Sequence, residues 1–265
     1  VAYSLGQTGH TSAEIALIEA SKQETSAKAT SAMLESIGKC ATTVGVDFLS
    51  SFYGKQSTDY GVAAGLFRAD IKGVQTENGL KRIVELLEPN QQETTRIIAS
   101  TYLARNRSQD VSGFTKAITN VLRNDNSEFV RMNCAIALRQ AKAAEVSSNL
   151  LDALKKDESA FVKISAIRAL ASLKVAEADP IVLKYTTIQE VNLAVASSEY
   201  FMATAHAGNA KLIASNISEP QNWRVRANLY RATLPFLPEL KGQILEQLNK
   251  TTNPHEQGQL LLALA

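Results

Sequence analysis

The side chains that could do chemistry are few and far apart. Histidine occurs only at His10, His206 and His255. His255 and Glu256 begin like the zinc pattern His-Glu-x-x-His, but Gln259 stands where the second ligand would be, which argues against a metal site. No Gly-rich phosphate loop is present. Two carboxylates could meet across repeats, but nothing in their spacing requires them to pair for acid–base catalysis. We therefore predict no catalytic residue, no metal and no cofactor in this chain.

One stretch has side chains that suit binding. From Trp223 onward the apolar spacing predicts a helix, and Arg224, Asn228 and Arg231 recur on it at i, i+4 and i+7, which places them on one face. An exposed tryptophan beside arginines would suit a peptide groove, because both residue types lead among interface hot spots. The alternative is that Trp223 and Tyr230 fill the seam to a neighbouring helix and that the arginines are solvated or paired.

The elements that position these side chains follow from an internal repeat. Asp125 recurs as Asp157, 32 positions later, and eight further residues repeat at the same spacing: Ser127, Phe129, Val130, Ala137, Leu138, Lys142, Ala144 and Glu145. A unit of this length holds two short helices and a turn, which cannot bury their own apolar face, so neighbouring units must stack. Anchors of the same register are placed near Ile97, Val191 and Val225. We predict an all-α superhelix of about eight two-helix repeats.

The clearest unit shows how each repeat is expected to fold. Asp125 and Ser127 precede a helix, where their side chains could accept hydrogen bonds from its first free amides. One buried stripe is expected to contain Phe129, Val130, Cys134, Ala137, Leu138 and Ala141. A turn is predicted at 142–145, and the next helix should bury Val146, Leu150, Leu151 and Leu154. In the following unit, Pro180 suits the start of a helix.

The pattern Asp-x-Ser-x-Phe-Val-Arg-x6-Leu, which begins at Asp125, resembles HEAT-like repeats. In such repeats an Asp and a Val-Arg/Lys pair mark the turn into the second helix. The resemblance implies a solenoid of the HEAT/armadillo type, whose second helices offer a concave binding surface. Four residues that follow the anchor positions are expected to line or border that surface: Arg131, Lys163, Asn192 and Arg226. Trp223, Arg224 and Arg231 complete the predicted binding set.

A narrower resemblance concerns several short stretches, among them 34–40, 65–69, 102–105, 198–201 and 222–227. Their succession is similar to the HEAT-repeat region of bacterial proteins that also carry a cyclophilin-type peptidyl-prolyl cis-trans isomerase domain. This resemblance implies a location in the bacterial cell envelope or periplasm. It also implies that any isomerase active site lies outside this chain, because no stretch here is similar to one.

Three functions compete at this level. The leading hypothesis is a non-catalytic scaffold region that binds a protein or peptide on the concave face. The alternative is an accessory region that holds substrate for an isomerase whose catalytic domain lies elsewhere. Nucleic-acid binding is disfavoured, because 28 basic side chains against 26 acidic ones give a formal charge of only +2 and there is a single tryptophan. No apolar run approaches the length of a membrane span.

The cysteines and the chain ends complete the sequence predictions. Cys40 and Cys134 lie about three repeats apart, on the order of 30 Å, so they should be buried and unpaired rather than joined by a disulfide. Residues 1–265 are predicted to form a single repeat array. We predict that the array opens at the end of a second helix and closes within another repeat, so we expect a fragment of a longer protein.

Overall fold

The computed structural model describes residues 1–105 and 108–265, and within these ranges the regular elements are helices with no strand. The helices are α1 (Ala2–Thr8), α2 (Thr11–Gln23), α3 (Ala27–Cys40), α4 (Thr43–Ser51), α5 (Gln56–Ile71), α6 (Glu77–Glu85), α7 (Glu93–Arg105), α8 (Thr115–Asn124), α9 (Glu128–Ala137), α10 (Ala143–Lys156), α11 (Ala160–Ser172), α12 (Asp179–Tyr185), α13 (Val191–Thr204), α14 (Ala210–Ala214), α15 (Trp223–Thr233), α16 (Lys241–Lys250) and α17 (Pro254–Leu264). The all-α prediction is confirmed.

The chain divides into two compact units, Val1–Ala141 and Lys142–Ala265. In both units an even-numbered helix pairs with the odd-numbered helix that follows it, and the odd-numbered helices pack side by side. We call these odd-numbered helices the second-helix layer. The described part of the chain contains eight such pairs, from α2–α3 to α16–α17, and this neighbour-on-neighbour packing is that of an all-α solenoid. That residues 1–265 form one array stays a prediction.

Small residues allow the second helices of the first unit to touch backbone to backbone. A methyl group built on Gly38 of α3 would overlap the carbonyl oxygen of Gly65 on α5, and one on Gly61 would overlap Ser31. Nothing larger than hydrogen fits between the two helices at these points. The low aromatic content of the chain, 6%, therefore accompanies packing by close backbone approach rather than by large interlocking side chains.

The buried stripe of α9 is confirmed except at its first residue. Val130, Cys134, Ala137 and Leu138 are fully buried, and Ala141 is nearly so. The prediction for Phe129 is wrong, because its side chain is 50% exposed. Phe129 is the second residue of its helix, and the face that packs inward begins one residue later, about 100° around the helix axis.

The helix that follows keeps its predicted stripe but begins earlier. Val146, Leu150 and Leu154 are fully buried in α10, whereas Leu151 is only partly buried. Because α10 begins at Ala143, the predicted turn at 142–145 is wrong by several residues: a short 3₁₀ turn over Leu138–Gln140 makes the connection instead.

The hydrogen bonds at the starts of α9 and α11 differ from the predicted capping by aspartate and serine side chains. Asp125 Oδ1 accepts a hydrogen bond from the backbone N–H of Ser127 at 2.8 Å, and Asp157 Oδ1 accepts one from Ser159 N–H at 2.9 Å. Both serine hydroxyl oxygens are buried without a hydrogen-bond partner. The aspartates therefore organise the turn, and the predicted capping by the Ser127 side chain is wrong.

Two predicted repeat anchors are displaced by two residues. Val191 is 52% exposed, whereas Leu193, the third residue of α13, is 4% exposed and takes the place that Val130 and Val162 hold in α9 and α11. Likewise the fully buried third residue of α7 is Thr95, not Ile97 two positions later. The corrected anchors make the repeat more regular, with 31 and 32 residues on either side of Leu193.

Other local predictions are confirmed. Pro180 stands in the first turn of α12, where its missing N–H costs nothing. Cys40 and Cys134 are both buried and neither forms a disulfide.

Candidate functional site

The unit Lys142–Ala265 contains a surface groove of about 400 Å³ along the second-helix layer. We call it the α15 groove. It is lined by Glu199 and Met202 of α13, by Trp223, Arg224, Asn228 and Arg231 of α15, and by His255 and Gln259 of α17.

Helix geometry explains why these side chains meet. Arg224 and His255 are the second residues of their helices, Asn228 and Gln259 are the sixth, and Arg231 is the ninth residue of α15. Positions two, six and nine share one helix face, and the parallel alignment of repeated helices brings equivalent faces side by side. The groove is thus the outward face of the second-helix layer.

The start of α15 is fixed by a cap and by core packing. The Asn222 side chain accepts a hydrogen bond from the backbone N–H of Arg224 at 2.9 Å. Val225 and Leu229 are fully buried and Tyr230 is 8% exposed. Tyr230 therefore fills the interior, which agrees with the alternative interpretation for that residue.

Trp223 behaves differently from Tyr230. Its side chain is only partly buried and lies in the groove wall. Met202 of α13 lines the same groove and is 41% exposed. Two large, soft apolar side chains are therefore accessible beside the groove arginines.

The groove carries more positive than negative charge. Glu199 is the only acid among the described groove residues, and its Oε1 lies 3.2 Å from Nη2 of Arg224. Its other oxygen lies 3.7 Å from Nη2 of Arg168 on α11. Arg231 contacts a neutral partner, with Nη1 3.5 Å from Oε1 of Gln259. Two guanidinium groups thus share one carboxylate and a third has a neutral partner, which leaves a local excess of about two positive charges.

Beneath the groove a buried amide ties two helices together. Nδ2 of Asn228 donates to Oγ of Ser198 at 2.9 Å. The same contact occurs in the other unit, where Asn133 Nδ2 donates to Ser100 Oγ at 3.1 Å. Because the contact recurs at equivalent positions, Asn228 fixes the spacing of α13 and α15 rather than presenting its amide to a ligand.

Two of the predicted binding residues have contacts that belong to the fold. Nη1 of Arg226 donates to the carbonyls of Pro220 and Gln221 at 2.9 and 3.0 Å, and its Nη2 lies 3.2 Å from Oε1 of the buried Glu256. Arg226 therefore holds the loop that leads into its own helix and joins it to α17.

Arg131 holds the corresponding loop of the other unit. Its Nη1 donates to the carbonyls of Asp125 and Asn126 at 2.8 and 3.2 Å. Like Arg226, it is the fourth residue of its helix, and its guanidinium faces the preceding loop.

Lys163 and Asn192 also lie outside the groove. Nζ of Lys163 lies 5.7 Å from the centre of the Tyr185 ring, within cation–π range. Asn192 is exposed at the second position of α13. Of the seven predicted binding residues, the structure brings Trp223, Arg224 and Arg231 together in the groove.

Sequence reasoning missed the other walls of the groove. Glu199, Met202, His255 and Gln259 were not in the predicted binding set. The predicted anchor at Val191 was two residues away from the buried Leu193. With that anchor, residues of α13 were aligned with the wrong residues of α15, so the repeat spacing did not predict the neighbours of Arg224 and Arg231.

The groove has no assembly typical of catalysis. His255 is exposed, and in the described ranges no three His, Cys, Asp or Glu side chains lie close enough to hold a metal ion. None of the helices in those ranges combines the length and apolarity needed to cross a bilayer.

Comparison with known proteins gives one family. Residues 80–187 match HEAT repeats, a segment that runs from α6 to just beyond α12. No curated protein matches the chain.

Proposed function

We propose that this HEAT-like repeat protein is a non-catalytic scaffold that binds a protein or peptide segment in the α15 groove. HEAT repeats are commonly protein-interaction scaffolds, which supports the general role. The observation that carries the specific proposal is that the exposed Met202 and the partly exposed Trp223 lie beside Arg224 and Arg231 in one groove. Aromatic and arginine side chains contribute more than most others to protein interfaces.

The groove also meets the physical requirements for holding an extended segment. It is formed by three successive second helices, so a ligand that crosses them contacts several repeats at once. Its side chains lie on packed helices, which lose little backbone entropy on binding.

The test is selection of a random peptide library on the folded chain, followed by measurement of the affinity of the enriched peptides. Trp223→Ala combined with Met202→Ala should lower the affinity for peptides that bind the groove by at least about tenfold. Phe236→Ala combined with Leu245→Ala is the matched control, because both residues are large, apolar, more than 40% exposed and outside the groove. Equal binding to the two double variants would overturn the proposal.

The isomerase-linked role and the envelope location stay predictions with no supporting contact in this chain. Finding a cyclophilin-type domain in the same gene would support them. Nucleic-acid binding would require a basic track that leads to exposed aromatic rings, and retention of the chain on a DNA column at physiological salt would favour it.

A further inference from the structure

We propose that the segment bound in the α15 groove is acidic, with at least two carboxylates that pair with Arg224 and Arg231 and a bulky apolar side chain that packs on Trp223 and Met202. This inference rests on the proposed function and specifies the chemistry of its ligand. The surplus of guanidinium over carboxylate groups in and beside the groove favours a negatively charged partner.

Arg224 is able to change partners at little cost. Its side chain is 55% exposed, and exposed ion pairs such as the one with Glu199 are worth little, because water competes for both groups. When Arg224 turns toward a ligand carboxylate, Glu199 keeps Arg168 as its second partner. The partly exposed Glu199 carboxylate is therefore not left without a counter-charge.

Arg231 is the stronger electrostatic anchor. Its guanidinium makes a long hydrogen bond to the neutral Gln259 amide, so a ligand carboxylate would replace a weak neutral acceptor with a charged one. A guanidinium group can donate two parallel hydrogen bonds to a carboxylate, which adds direction to the attraction.

The spacing of the two arginines suits a ligand with two carboxylates. Arg224 and Arg231 are seven residues apart on one helix face, or roughly 10 Å along the axis. Two carboxylates about three residues apart on an extended chain span a similar distance, so each arginine can bind its own carboxylate. Trp223 and Met202 line the same groove, so they can pack against the apolar side chain of the ligand.

The sequence supplies a built-in probe for the experiment. Trp223 is the only tryptophan in the chain, so intrinsic fluorescence reports on the groove without a label. We would titrate the folded chain with three nine-residue peptide pools that share a central Phe, flanked by Asp/Glu, by Asn/Gln or by Lys/Arg. The acidic pool is expected to shift Trp223 emission at concentrations at least about tenfold lower than the neutral pool.

Charge reversal identifies the anchoring residues. Arg224→Glu with Arg231→Glu should abolish the preference for the acidic pool and favour the basic one. Lys211→Glu with Lys241→Glu changes the net charge equally on exposed sites of α14 and α16 and should leave the preference unchanged. If the reversed variant fails to fold by circular dichroism, Arg224→Gln with Arg231→Gln replaces it, and loss of at least about tenfold in acidic-pool affinity is expected.

The outcomes separate the two proposals. Groove-dependent binding in which the neutral or basic pool equals or exceeds the acidic pool overturns the acidic-ligand inference but leaves the scaffold function intact. Failure of every pool to alter Trp223 emission, together with library selection that yields no groove-dependent peptide, overturns both. A preference for the acidic pool that persists in the arginine variants also overturns the inference.

Discussion

Arg96 and Asp125 are joined by a two-point ion pair, with Nε 2.7 Å from Oδ2 and Nη2 3.2 Å from Oδ1. Their side chains are only 11% and 5% exposed. Arg96 also donates to the carbonyl of Gln91 at 2.6 Å, and Asp125 accepts from Ser127 N–H. The pair therefore ties the loop before α7 to the loop before α9, as Arg226 and Glu256 tie α15 to α17.

Removal of either partner of this pair should loosen both loops. Arg96→Ala or Asp125→Ala leaves a buried charge without its counter-ion, which we expect to cost about 3 kcal/mol. Amide hydrogen exchange in α7 and α9 measures the local free energy of opening. Lys22→Ala is the control, because its contact with Glu19 is equally short, 2.7 Å, but exposed, and should cost less than about 1 kcal/mol. Similar losses in both variants would contradict a burial effect.

Replacing glycine by alanine should change the free energy of unfolding in opposite directions at two positions. Gly38→Ala forces α3 away from Gly65 on α5, and we expect a loss of about 1–3 kcal/mol in the free energy of unfolding. Gly258→Ala in α17 meets no atom within 4 Å and should stabilise the protein by up to about 1 kcal/mol through helix propensity. Urea denaturation followed by circular dichroism measures both, and a neutral Gly38→Ala would contradict the close helix contact.

Glu256 should make the unit Lys142–Ala265 sensitive to acid. Burial by itself would raise the pKa of this carboxyl, but hydrogen bonds from Thr251, Gln247 and Arg226 lower the pKa overall from its ordinary 4.5. Because the folded-state pKa is the lower one, the ionised group stabilises the fold above about pH 4.5, and this contribution is lost as pH falls through the folded pKa.

The acid prediction is tested by thermal unfolding as a function of pH. Glu256→Gln should be less stable than the original chain at neutral pH and should lose less stability on acidification. The exposed Glu239→Gln is the control and should follow the original chain. If the unfolding temperatures of the Glu256 variant and the original chain change in parallel with pH, Glu256 is not the cause of the acid sensitivity.

The two thiols should be inert in the folded protein. Burial raises the pKa of the Cys134 thiol, and the pKa of Cys40 is raised by burial and by the charge of Glu14. Since the thiolate is the reactive form, neither cysteine should be alkylated by iodoacetamide at neutral pH until the chain unfolds. Mass spectrometry of native and urea-treated protein distinguishes the sites, and rapid native labelling of Cys134 would contradict its burial.

The repeat period alone was sufficient to predict the helical architecture. The stripe from Val130 to Ala141 follows from apolar spacing, because a helix presents every third or fourth residue to the same neighbour. The same reasoning failed for Phe129 and Val191. Both are apolar residues at helix starts, and only the position of the first helical turn decides whether such a side chain faces inward or outward.

The sequence by itself determined the local elements, which are the paired helices and their buried stripes. It also identified Trp223, Arg224 and Arg231 as candidate binding residues. What only the tertiary structure decided is which polar groups meet across neighbouring helices. The packing register placed Arg226 on its loop and on Glu256, and brought Glu199, Met202 and His255 beside Arg224. Contacts between helices about 30 residues apart depend on the relative rotation and offset of whole elements, which spacing within one helix does not specify.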